Sequence, residues 1–370
     1  MRNKLYLLGV VVVLLFLAFF LLEKTKEDAT EIEYWKLSLD RIEYYPPSEQ
    51  WIEKTGDKFY SKPFTISVKE GIKKGEKFFT VINKDTETGK DIEYEGGYNS
   101  ENTVRDFGTY RVKGTEEILE GIQIKDSLQV GEDSPKLVLY SGNVSKTLRI
   151  GKKHSLGSTR VILHEGPIRN ILTSSSYLFD RFQKGPQDFR QKSILTLNKE
   201  YVKEISYIDE NGTSIRIDNT PYESNGVKKN FWRRLSGEII LLEPKLGEDL
   251  YRFMTGLKVE TFPDDENGAG FGIGNILAPN VEKSEFSLAS VKVLISDGNE
   301  IVFRFHKETS IGDKKLTPVI RIINSNFKEP PIYVVANAFT QISTAAKAIK
   351  DAKAIAKPDK SKPANTSRKK

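Results

Sequence analysis

Leu5 to Leu22 is an unbroken run of 18 uncharged residues, and no other stretch constrains this chain as strongly. Within it only Tyr6 and Gly9 depart from strongly apolar character. As an α-helix rising 1.5 Å per residue, the run extends ~27 Å, close to the ~30 Å hydrocarbon core of a bilayer. A helix apolar on every side otherwise needs a protein core around it. Arg2 and Lys4 stand before the run. The positive-inside rule then keeps residues 1–4 in the cytoplasm as a stub and carries the chain beyond Glu23 across the membrane. A cleaved signal peptide is the rival reading, but Leu17-Ala18-Phe19-Phe20-Leu21-Leu22 offers no small-x-small cleavage pattern. The expectation is an uncleaved transmembrane anchor at 5–22 in the cytoplasmic (inner) membrane, a polar spacer at 23–30, and a body on the periplasmic or extracytoplasmic side.

The chain has 370 residues, enough for about two domains. Apolar residues at 38% and charged residues at 29% are compatible with folding. Cysteine is absent and there are three histidines, which excludes disulfide frameworks, thiol chemistry, lipid attachment to cysteine and zinc sites built from cysteine or several histidines. The formal charge of +6 is misleading as a whole-chain figure. Residues 341–370 hold eight Lys and one Arg against Asp351 and Asp359, so the remainder is close to neutral. A nucleic-acid binder shows its positive charge as a face or stripe on the folded body, so no nucleic-acid partner is expected. Trp232-Arg233-Arg234 reads as a strand end with exposed cations rather than a base-stacking site.

Three period-2 segment pairs predict β-hairpins. They are Leu137–Tyr140 with Leu148–Ile150 about Ser141-Gly142-Asn143, Ile205–Ile208 with Ile215–Ile217 about Asn211-Gly212, and Val291–Ile295 with Ile301–Phe305 about Asp297-Gly298. Asn-Gly and Asp-Gly accept the positive φ of tight hairpin turns. Further strands are expected near Glu33–Leu39 and Arg41–Tyr45. Short helices are expected at Glu116–Glu120, Tyr177–Phe182, Glu248–Leu257 and Phe339–Lys357. Trp51 and Trp232, the Phe-Gly pairs Phe107-Gly108 and Phe271-Gly272, a hairpin and a closing helix recur in similar order in each half. The spacing of roughly 165 residues is far beyond the 20–50 of solenoid repeats. The fold class that follows is α+β: β-rich, antiparallel sheets with short helices in a duplicated unit, with modules at 31–198 and 199–340. Residues 341–370 form a basic Ala/Lys-rich tail, expected to be partly disordered, and a candidate tether to anionic lipid or cell-wall polymer.

Leu148-Arg149-Ile150-Gly151-Lys152, Leu156–Val161, Phe189-Arg190-Gln191-Lys192-Ser193-Ile194-Leu195 and Val202-Lys203-Glu204-Ile205 together resemble the bacterial family catalogued as domain of unknown function 4340. The likeness extends in pattern over most of residues 31–340 and in letters over 148–208. Gln191 stands where that family often has an acidic residue, and the second half lacks the Ile-Gly-Lys letters. The resemblance implies a membrane-anchored envelope protein, often encoded beside ABC-type transporter and gliding-type components, and brings no catalytic residues with it.

Chemistry-bearing motifs are sparse. His154, His164 and His306 have no metal-ligand spacing, and no G-x-S-x-G elbow is present. The glycine-rich run Gly268–Gly274 matches neither phosphate-loop spacing, and Pro263-Asp264-Asp265-Glu266 before it would repel an anion. Asp264, Asp265 and Glu266 lack the alternation of a calcium loop. Tyr44-Tyr45-Pro46-Pro47 and Pro330-Pro331-Ile332-Tyr333 read as structural turns, with a partner or sugar surface as the functional alternative. No catalytic, cofactor-binding or metal residue is nominated and no cofactor is expected. The leading expectation is a non-enzymatic accessory or scaffold subunit bound to a transporter or envelope assembly. The alternative is an extracytoplasmic glycan- or peptide-binding protein or hydrolase in which Asp180, Asp188, Asp264 or Glu266 meet in the fold.

Overall fold

The computed structural model describes residues 31–70, 76–84, 89–119, 126–154, 158–224, 227–262, 288–311, 313–325 and 327–354. The expected anchor at Leu5–Leu22, the spacer at 23–30, the glycine-rich run with Asp264, Asp265 and Glu266, and the end of the tail lie outside them. Among the described residues no helix is long and apolar enough to cross a membrane. Two compact units share the chain. One takes residues up to Pro63 and Asn102–Gly185, the other Phe64–Glu101 and the residues from Pro186 onward. This division is interleaved along the chain, whereas the sequence division into 31–198 and 199–340 is sequential. Strands and helices are numbered along the chain.

In the first unit β1 (Ile32–Lys36) pairs with β6 (Thr109–Val112). Beside this ribbon is an antiparallel sheet in the order β2 (Arg41–Tyr45), β8 (Lys136–Ser141), β9 (Val144–Lys153), β10 (Thr159–Glu165), β11 (Arg169–Ser175), β7 (Gly114–Ile118). The β8–β9 hairpin sets Leu137 opposite Leu148, as their alternation predicts. Its turn residue Gly142 has φ 54°, a conformation that a side chain disfavours. The helix expected at Glu116–Glu120 is corrected at Glu116–Ile118, which are strand, with Glu120 outside the described residues: Thr115 and Glu116 in β7 pair with Leu172 and Ile171 in β11. Ladder hydrogen bonds to a long neighbour outweigh glutamate's intrinsic helix preference, which amounts to a few tenths of a kcal/mol per residue. α1 (Glu49–Thr55) was not expected. Its first turn is capped by Ser48, whose Oγ accepts from Trp51 N at 3.1 Å, and Gly56 at φ 72° closes it. That helix buries Trp51, whose indole N–H donates to Gln129 O at 2.8 Å. α2 (Tyr98–Gly108), also unexpected, contains the boundary between the units. Tyr177–Phe182 folds as α3 (Tyr177–Asp180) followed by a 3₁₀ turn at Arg181–Gln183.

In the second unit β3 (Phe64–Glu70), β4 (Lys77–Lys84) and β5 (Asp91–Glu95) form an antiparallel meander with Val81 between Ile66 and Tyr94. A ten-stranded sheet contains β15 (Ile240–Leu241), β14 (Val227–Arg234), β13 (Ser214–Ser224), β12 (Val202–Asp209), β16 (Ala289–Ile295), β17 (Glu300–Phe305), β19 (Lys314–Ile323) and β18 (Thr309–Ile311) in that order. β20 (Phe327–Lys328) and β21 (Ile332–Val335) also pair with β19. Both expected hairpins are present, with Ile205 opposite Ile217 and Val293 opposite Ile301. α4 (Pro244–Gly256) begins four residues before its expected start, at a proline whose missing N–H costs nothing in a first helical turn. α5 (Ala338–Lys350) stops at Asp351, short of the expected Lys357. One core joins Ile205, Ile217, Trp232, Val293 and Phe303 of the sheet to Leu250 and Met254 of α4 and Ile342, Ala346 and Ile349 of α5. Gly247 lets the α4 backbone lie directly on Trp232, since a Cβ there would sit 2.1 Å from the indole Cγ.

Candidate functional site

The most unusual chemistry in the second unit is a buried cation between two carboxylates. Arg321 on β19 has a side chain only 4% exposed. Its Nε donates to Glu329 Oε2 at 2.6 Å and its Nη2 to Glu329 Oε1 at 2.8 Å, a forked pairing that suits guanidinium and carboxylate. Nη2 also reaches Glu95 Oε2 at 2.7 Å, and Nη1 donates to the carbonyls of Ile194 and Ser193 at 3.1 and 3.3 Å. Glu95 closes the ring, its backbone N–H donating to Glu329 Oε1 at 2.5 Å. Burial opposes the charge on Arg321, but the two carboxylates outweigh it and hold the guanidinium above its ordinary pKa. Burial also pushes the Glu95 carboxyl up to about 6; Arg321 pulls the other way and Glu329 adds to the rise.

This cluster floors a small cavity of about 170 Å³, whose apolar walls include Ile194, Leu197, Ile301 and Ile323 and whose acidic groups are Glu76, Glu95 and Asp297. Every Arg321 nitrogen is already engaged by acceptors within the unit, so the cavity presents carboxylate rather than guanidinium. Drug-sized ligands occupy pockets of ~300–1,000 Å³; this one has room for a single extended side chain.

The resemblance residues Phe189 and Arg190 are both buried. The Arg190 guanidinium lies 4.2 Å from the Tyr94 ring centre and 4.8 Å from that of Phe262, and donates to Asn83 Oδ1 at 2.5 Å. These are packing roles within the core of the unit. Asp188 accepts from Asn99 Nδ2 at 3.1 Å and pairs with Lys192 at 3.6 Å. Arg233 forks onto Asp218, and Arg234 donates to the carbonyls of Ile349, Lys350 and Ala352, closing the C-terminal end of α5. Tyr333 is buried, so its Pro-Tyr segment belongs to the core.

In the first unit Asp180 is committed elsewhere. The fully buried Arg160 donates to it through Nε and Nη2, both at 3.1 Å, and to Asp57 at 2.7 Å, while Lys153 reaches Asp180 at 2.8 Å. Asp180 is therefore taken up by ion pairs to two cations of the same unit. His164 Nδ1 lies 2.9 Å from Tyr34 Oη in an aromatic group with Trp35, and burial, with Lys146 adding, holds its pKa below the ordinary value. Tyr44 is buried and its hydroxyl donates to Tyr60 O at 2.6 Å; Tyr45 is more exposed. Among the described residues no group of three or more His, Asp or Glu side chains could hold a metal ion.

Sequence reasoning missed the Arg321 cluster because its carboxylates lie 226 and 8 residues away in sequence and no motif joins them. No family model, curated protein or solved structure matches this chain.

Proposed function

We propose that the chain is a single-pass membrane-anchored envelope protein whose exported body is a non-enzymatic accessory or scaffold subunit for an ABC-type transporter or an envelope or gliding-type assembly. The observation that carries this reading is the 18-residue apolar run Leu5–Leu22 directly after Arg2 and Lys4. Two further features support it. Buried Arg160 and Arg321 are each neutralised by a pair of carboxylates, the arrangement of framework rather than of reacting groups. Of the carboxylates the hydrolase alternative requires, Asp180 is bound to two cations and Asp188 to Asn99 and Lys192. The transporter-associated context rests on the likeness to the domain-of-unknown-function family, and the reading of 31–198 and 199–340 as two copies of one α+β unit rests on the repeated order of hairpin, Phe-Gly pair and short helix.

The test is purification of the full-length chain in mild detergent after crosslinking in cells. Reproducible recovery of one membrane or envelope partner is expected, and a lone monomer without any such partner would count against the scaffold role.

A further inference from the structure

We infer that the cavity beside Arg321 is the docking site for the chain's own basic C-terminal segment, residues 355–370, which seats a lysine side chain against Glu95, Glu76 and Asp297. At about 170 Å³ the cavity fits one extended side chain; its walls are mostly isoleucine and leucine, and its polar lining is three carboxylates with Thr196 and the Arg321 guanidinium. An aliphatic stem ending in a cation matches both features, since lysine buries its methylenes on apolar surface while its ammonium meets a charged partner. An anion is disfavoured there, because the one guanidinium present is already turned to Glu95, Glu329 and two carbonyls.

Position selects the occupant. Residues 355–370 carry five Lys and one Arg against Asp359, the complement of the acidic cavity. The described chain leaves α5 at its C-terminal end, where Arg234 holds the carbonyls of Ile349, Lys350 and Ala352. Cross-strand pairing aligns Arg234 with Ile217, Ile205, Val293, Ile301 and Ile323 in one row across the sheet. Directly paired residues share a face, so the exit point of α5 and the cavity residues Ile301 and Ile323 lie at the same end and on the same face. Five strand spacings of ~4.8 Å separate them by ~24 Å. Ile217, Ile205 and Val293 in that row are buried in the core with α4 and α5, so the tail passes around them over the surface; an extended chain advances at most ~3.3–3.6 Å per residue, which lets the residues after Ala354 span up to ~53 Å, about twice the straight distance.

The test is zero-length carbodiimide crosslinking of the full-length detergent-solubilised protein, followed by mass spectrometry of the monomer band. Tail lysines are expected to couple preferentially to Glu76, Glu95 or Asp297. At 1 M salt, where the Debye length falls to ~3 Å, the yield should drop at least threefold. It should drop by a similar factor in Glu76→Gln/Asp297→Asn, whose substitutions lie on the exposed rim and leave the Arg321 cluster intact. Crosslinks spread without preference over surface carboxylates would overturn the inference, as would links only between copies, yields indifferent to the two substitutions, or coupling abolished by anionic vesicles that leave the cavity empty. Because the crosslink is intramolecular, its outcome is independent of whether Leu5–Leu22 anchors the chain.

Discussion

Replacing Arg321 by methionine tests whether the buried cluster is held together by its central cation. Methionine preserves an unbranched apolar stem but removes two hydrogen bonds to Glu329, one to Glu95 and two to the carbonyls of Ser193 and Ile194. Glu329, only 1% exposed, is then left with the Glu95 N–H in place of a cation. Breaking a buried ion pair by removing one partner costs ~3–5 kcal/mol. A unit of roughly 200 residues shifts its unfolding midpoint ~2–4 °C per kcal/mol, so a fall of about 6–20 °C is expected. Calorimetry gives the midpoint, and amide exchange along β19 shows that the loss belongs to this unit. The triple variant Arg321→Met/Glu95→Gln/Glu329→Gln removes the stranded charges while keeping an acceptor for the Glu95 N–H, and should recover at least half of the loss. A single substitution costing under ~1 kcal/mol, or a triple variant less stable than the single one, would show that the cation does not hold the cluster together.

Other consequences follow from named residues. The folded-state pKa of Glu95 is raised from 4.5 to about 6. Its contribution is therefore fully present below pH 4.5 and lost as pH rises through 6, about 2 kcal/mol in all; denaturant unfolding from pH 4 to 7 should show that slope in the native chain and lack it in Glu95→Gln. Gly247→Ala should destabilise the second unit by ~1–3 kcal/mol, because the added methyl collides with Trp232, even though alanine is the better helix former; a stabilised variant in thermal melts would contradict this. Arg160→Met should cost ~3–5 kcal/mol in the first unit by stranding Asp57 and Asp180, read as faster amide exchange in β10.

The legible parts of this fold were those whose signals are local. The three hairpins announced themselves because alternation and a Gly-containing turn fix register within about a dozen residues, and Trp51 and Trp232, the markers of the two halves, are both buried. α1 was missed although Ser48 and Gly56 bracket it, since seven residues give too little periodicity to read. α2 was missed for a different reason: Ser100, Asn102 and Thr103 share its buried face with Val104 and Phe107, so the apolar stripe that marks an amphipathic helix is reduced to two residues. β7 was misread because Thr-Glu-Glu-Ile has the composition of a helix turn, and only the distant partner β11 makes it a strand. The candidate site was the least legible. Glu95, Arg321 and Glu329 come together through β5, β19 and the segment after β20, and none of their spacings is a motif.

In the proposed topology Leu5–Leu22 stays in the bilayer and the body lies on its outer side. The absence of cysteine permits a direct measurement. A single cysteine in place of Tyr98, 74% exposed, is treated with a membrane-impermeant maleimide in intact spheroplasts, and the intact mass of the mature chain is recorded. Full labelling without lysis is expected, on a membrane-bound protein that retains residues 1–22. Labelling only after lysis, or a mature chain that begins beyond residue 22, would contradict it.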